Sequence, residues 1–132
     1  MSHYLTKFGP VHWNAVKHVF QYLKGTIEFW LTYGHMKTEL TGYADADGSM
    51  ADDRRAISGY MFIIHGGAVS WSMKHQQIVS LSMTESEYMA VAHAAKEAKW
   101  LYSLIQQLFN IEMSPTTLFS DNQSAIVLAK DH

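Results

Sequence analysis

Cysteine is absent from the 132 residues, which excludes disulfides and thiolate metal ligation and agrees with a reducing compartment. Long apolar runs are also lacking. Stretches such as Met61 to Ile64 fall far short of the roughly 20 residues a bilayer span requires, and the N-terminus has no charged start followed by an apolar segment. The expectation is a soluble, intracellular protein, cytoplasmic or nuclear and not secreted, with no membrane partner. Neither sign of charge dominates: 10 Lys and Arg face 12 Asp and Glu, for a net charge of −2. Nucleic-acid binding driven by bulk charge is thereby excluded, and any such contact needs a local basic patch. The eight histidines include no HxxxH or HxH pair of the kind zinc sites use. Internal repeats, low-complexity tracts and flexible linkers are missing too.

What is present is apolar content, 48% of residues, enough for one core in a chain of this length. Pro10, then Trp13, Val16, Phe20 and Leu23, with Gly25 beyond, predict an amphipathic helix ending near Lys24. Alternation from Thr26 to Tyr33 predicts a strand. Leu40 to Asp47 forms a second extended candidate leading into Gly48 and a polar loop. Ser58 to Ile64 and Ala68 to Ser72 predict a hairpin across His65-Gly66-Gly67. Val91, Ala94, Ala98, Leu101, Ile105 and Leu108 form one stripe of a long helix from Thr84 to about Phe109. After Pro115, Thr116 to Ser120 makes a short strand, and Asp121-Asn122-Gln123 opens a last helix reaching about Lys130. Trp13, Trp30, Trp71 and Trp100 are expected in the core or an interface rather than as base-stacking platforms.

Three acidic positions fall at the ends of these elements: Asp45 in a strand, Glu87 in the first turn of the long helix, and Asp121 directly after a strand. Carboxylates without Cys or His suit hard divalent cations such as magnesium, and paired ions of this kind serve phosphodiester cleavage. Each acid also has an ordinary use. Ser82 with Glu85 and Thr84 with Glu87 are overlapping capping boxes, so either glutamate could close the helix end. Helix phase favours Glu87 as the chemical residue, because it lies on the stripe with Val91, Ala94 and Ala98, while Glu85 lines up with Met89, Ala92, Lys96 and Lys99. An acid aimed at the core needs a partner or a metal. Asp121 has the plain alternative of an N-cap. Asp45 and Asp47 share one side of a strand, and periodicity does not choose between them. Asp52 and Asp53 beside Arg54 and Arg55 read as a solvated loop with local charge pairing, the arginines alternatively touching a phosphate backbone.

Six segments occur in a telling order: Gly42-Tyr43-Ala44-Asp45-Ala46-Asp47, Asp52-Asp53-Arg54-Arg55, Ser58-Gly59-Tyr60, Ser70-Trp71, Thr84-Glu85-Ser86-Glu87-Tyr88 and Asp121-Asn122-Gln123-Ser124-Ala125. Together they resemble the ribonuclease H domain of copia-type retrotransposon Pol polyproteins. His12-Trp13, Ala15-Val16-Lys17 and Tyr22-Leu23-Lys24-Gly25-Thr26 resemble the segment joining reverse transcriptase to that domain. The resemblance thus implies a connection-like segment over residues 1–34 and a ribonuclease H-like domain over 35–132. It implies an α/β fold, a mixed sheet flanked by helices, that cleaves the RNA strand of RNA–DNA hybrids with two magnesium ions, manganese being the alternative. Asp45, Glu87 and Asp121 take the family's metal-ligand positions, Asp45 between both ions and the other two each mainly on one. The implied partners are the hybrid and the reverse transcriptase domain of the same polyprotein.

The sequence departs from the family pattern twice. Gly48-Ser49-Met50-Ala51 stands where members commonly carry a tryptophan and a longer acidic loop. The family also continues into a further strand and helix with a fourth metal-binding aspartate, so the fold is expected to lack its last strand and helix. Asp131 lies ten residues beyond Asp121, and an intervening helix would set it roughly 15 Å away. The alternative reading is a catalytically inactive retroelement remnant with a nucleic-acid-binding or structural role.

Overall fold

A computed structural model describes residues 9–34, 39–47 and 55–130. The chain divides into two compact units, one up to Leu31 and one from Thr32 onward. The first contains α1 (Pro10–Gly25). Proline at the first helical position costs no hydrogen bond, and the Gly9 N–H donates to His12 Nδ1 at 3.0 Å. At the other end the Thr26 N–H and hydroxyl both donate to the Tyr22 carbonyl, at 3.0 and 2.9 Å. None of the α1 residues is buried.

The strand expected over Thr26 to Tyr33 is not there. The Phe29 N–H donates to the Thr26 carbonyl at 2.9 Å, closing a turn directly after α1. Apolar alternation alone does not make a strand, because the backbone needs a ladder to join. Beyond this turn the segment follows another course: the Gly34 N–H donates to His65 O at 2.9 Å and the Tyr33 hydroxyl to Ala68 O at 2.8 Å. These are contacts to a hairpin turn rather than a ladder.

The second unit is α/β. It holds β1 (Thr41–Asp47), β2 (Ile57–Ile64), β3 (Gly67–His75), α2 (Met83–Phe109), β4 (Thr117–Phe119) and α3 (Gln123–Lys130). The strands form one mixed sheet in the order β3-β2-β1-β4, with β1–β2 and β2–β3 antiparallel and β1–β4 parallel. This is consistent with a ribonuclease H-like fold. The β2–β3 turn uses only His65 and Gly66, at φ 51° and 81°, as a two-residue hairpin with mirror-image twist demands. Gly67, expected in the turn, is instead the first residue of β3. It is buried under Tyr33, whose ring would stand 2.5 Å from any Cβ placed there.

Alternate residues of β1 face inward, Gly42, Ala44 and Ala46, leaving Tyr43, Asp45 and Asp47 exposed on the other side. Gly42 makes room for Phe62, fully buried on the neighbouring strand. The α2 helix packs against β1 and β2 and α3 packs beside α2. The core joins Leu40, Ala44 and Phe62 to Ala94, Leu101, Ile105 and Met113, with Val91 and Ala98 partly buried against it. Leu108, expected in this stripe, is exposed. A 27-residue helix is about 40 Å long and the seven-residue β1 about 23 Å, so the last turn of α2 outruns the sheet.

The four tryptophans do not enter this core; each is at least half exposed. Trp71 pairs with Met61 on the sheet face that also carries Tyr43, away from α2, and Trp100 lies off the buried stripe of its helix. No helix among the described residues is long and apolar enough to cross a membrane.

Candidate metal centre

The β1 and β4 strands run parallel side by side, so their C-terminal ends lie at one edge of the sheet, and α2 starts over that same edge. Asp45, Glu87 and Asp121 meet there. Each offers a carboxylate oxygen, and these atoms all lie within 4.8 Å of one another. Asp45 and Asp121 are exposed, whereas Glu87 is buried, with 5% of its surface accessible. The cluster is therefore open to solvent on one side and backed by protein on the other.

Two acids reach this cluster because their neighbours cap the helices. At α2, Ser82 Oγ accepts the Glu85 N–H at 3.1 Å, and Glu85 Oε2 accepts the Leu81 N–H at 2.6 Å. Glu85 is thus the capping glutamate. Glu87 turns inward, where its Oε2 accepts the Ala46 N–H at 3.2 Å. At α3 the capping residue is Asn122, whose Oδ1 accepts the Ala125 N–H at 3.0 Å. Asp121 stands one residue before the cap. Asp47 lies two residues beyond Asp45 on the same strand face, outside the cluster.

Burial raises the Glu87 pKa above the ordinary carboxylate range, and the negative charges of Asp45 and Asp121 push it the same way; the Ala46 N–H works against them. The group is held where its charged form is costly unless a cation joins it. Three converging carboxylates are a donor set for a hard divalent ion.

Asp52, Asp53 and Arg54, the Gly48 to Ala51 loop and Asp131 lie outside the described residues. Arg55 is exposed. Sequence reasoning missed Gln76, which follows β3, is 6% exposed, and bonds both Ser58 and Ser86. A polar residue after a strand reads as solvated loop, and nothing in its neighbours signals otherwise.

No protein-family model matches the chain. It is 40% identical over 132 residues to the retrovirus-related Pol polyprotein from transposon TNT 1-94 of Nicotiana tabacum, covering 99% of this chain and 10% of that protein. It is 36% identical over 131 residues to the corresponding polyprotein from transposon RE2 of Arabidopsis thaliana, covering 97% of this chain and 9% of that protein. A secreted RxLR effector protein, number 161, of Plasmopara viticola is 47% identical over 94 residues, 70% of this chain and 66% of that protein. The chain spans about a tenth of the length of the polyproteins it matches. Its homologues over nearly every residue are thus retrovirus-related Pol polyproteins, and the chain is of retrotransposon Pol origin.

Proposed function

We propose that this chain is the ribonuclease H part of a retrotransposon Pol polyprotein, hydrolysing the RNA strand of RNA–DNA hybrids inside the cell with magnesium, or manganese, as the cofactor. The observation that carries the proposal is the convergence of Asp45, Glu87 and Asp121 on one edge of a β3-β2-β1-β4 sheet. Homology to Pol polyproteins supports the context, in which the reverse transcriptase domain of the same polyprotein is the partner.

Asp45, Glu87 and Asp121 would hold the cations. Ions bound to such a set activate a water and stabilise the leaving oxygen in phosphodiester hydrolysis. The residues divide the remaining work. Asp45 and Asp121 face solvent, where a phosphate can approach, and Glu87 anchors the set from within through the Ala46 N–H. The test is incubation of the purified chain with magnesium and a labelled RNA–DNA hybrid. RNA-strand cleavage that disappears in Asp45→Asn is expected. A folded sample that leaves the hybrid intact overturns the enzymatic reading and favours a remnant with a binding or structural role.

A further inference from the structure

Glu87 sits on a helix and Asp45 on a strand, so their separation depends on how firmly the first turn of α2 is held against β1 and β2. One side chain ties these elements together. The Gln76 amide nitrogen donates to Ser58 Oγ and to the Ser86 carbonyl, each at 2.8 Å, while the Gln76 backbone N–H donates to Ala56 O at 2.8 Å. Ser58 is the strand partner of Ala46, whose N–H holds Glu87, and Ser86 is the residue before Glu87. A closed loop results: Glu87 to Ala46, across the ladder to Ser58, through Gln76 to Ser86, and back to Glu87.

Packing does not account for an amide at this position. Gln76 is about nineteen-twentieths buried, and its Oε1 has no hydrogen-bond partner. An apolar side chain of similar length would fill the space without orphaning an oxygen. What an apolar residue could not supply is a nitrogen that donates to the strand and the helix at once. Ser58 and Ser86 are themselves buried, at 5% and 1% exposure, so water does not substitute for the missing donor.

We propose that Gln76 is a positioning residue, which fixes Glu87 at the depth where its carboxylate meets those of Asp45 and Asp121. The proposal rests on the reading of that cluster as a magnesium site, but its first readout does not. In the full chain, Gln76→Met keeps the volume and removes the donor, Gln76→Glu keeps the shape and turns the donor into an acceptor, and Ser58→Ala removes one anchor while sparing the bond to Ser86.

The first measurement is hydrogen exchange and the amide chemical shift of Ala46 by NMR in the ion-free protein. Loss of the Glu87 contact is expected to speed Ala46 exchange at least about tenfold in Gln76→Met and Gln76→Glu, and less in Ser58→Ala. The second is magnesium affinity by titration calorimetry, expected to weaken about 10- to 100-fold, as when groups behind metal ligands are removed. The third is hybrid cleavage, where kcat falls and KM for the hybrid stays, because Gln76 touches no substrate. Should Gln76→Met fail to fold, Ser58→Ala carries the same test at smaller amplitude. Unaltered Ala46 exchange and ion affinity in a folded variant overturn the proposal. If the unmodified chain binds no magnesium, the metal reading falls, while Ala46 exchange still decides whether Gln76 places Glu87.

Discussion

The two ends of the sheet solve opposite problems. At the hairpin end, Leu40, Phe62, Leu101, Ile105 and Met113 remove apolar surface from water, and Gly42 and Gly67 let rings approach the backbone closely. Everything there favours the folded state. At the other end, three carboxylates are brought within 4.8 Å and one of them is buried. That arrangement opposes folding when no cation is bound, and it persists because the hairpin end and the buried hydrogen bonds of Gln76 hold it. The lesson is a division of labour along one layer: stability is gathered where the chemistry is not.

The sharpest break of that comparison is at Phe62. Truncation to alanine opens a cavity between β1, β2 and α2 and is expected to cost about 3–5 kcal/mol in urea unfolding. A loss below about 1 kcal/mol would mean that the hairpin end does not supply the stability assigned to it. Asp45→Asn is expected to behave in the reverse sense. It should lower hybrid cleavage at least about 100-fold, equivalent to about 2.7 kcal/mol of barrier. At the same time it should raise the melting temperature of the ion-free protein, since one of three mutually repelling charges is gone. Activity and stability moving together on this substitution would sink the comparison.

A pH series sharpens it further. The raised Glu87 pKa means that the folded protein holds this proton more tightly than the unfolded chain does. Its contribution to stability is therefore full below the unfolded carboxylate value and is lost as pH rises through the higher folded value. Ion-free protein should lose stability over that window, and Glu87→Gln should flatten the loss. Magnesium at ten times its dissociation constant is expected to restore about 1.4 kcal/mol above the window and less below it, where the proton competes for the same oxygens. Chemical denaturation with and without the ion reads both effects.

How much of this was legible in the sequence differs by residue, for physical reasons. The stripe of α2 and the β2–β3 hairpin follow from periodicity and turn chemistry, which act locally. Helix phase also separated Glu87 from Glu85, because facing the core or the solvent is a local property of position. Asp45 and Asp47 share a strand face, and the places of β4, whose Thr117 lies beside Thr41, and of the start of α2 decide which one meets other carboxylates. The segment from Thr26 to Tyr33 alternates like a strand, yet strand formation depends on a partner that its own residues do not specify. The tryptophans, expected in the core or an interface, lie outside the core for a related reason: size argues for burial, while the side of the sheet or helix decides it. Gln76 was invisible, since its value lies wholly in two acceptors that folding brings to it.

The smallest effect separates capping from chemistry at the start of α3. Asp121 and Asn122 are adjacent polar residues before a helix, and either type serves as an N-cap. The bond from the Ala125 N–H goes to Asn122. Asn122→Ala is therefore expected to lower stability by about 1 kcal/mol, with magnesium affinity reduced only slightly, because the cluster keeps all three carboxylates. Asp121→Ala, which removes both the charge and any capping oxygen, should do the opposite, preserving or raising ion-free stability while weakening magnesium binding. Measured side by side, the pair assigns one role to each residue. If Asp121→Ala cost as much stability as Asn122→Ala, Asp121 would be a structural cap, and the acidic end of the sheet would be left with two ligands instead of three.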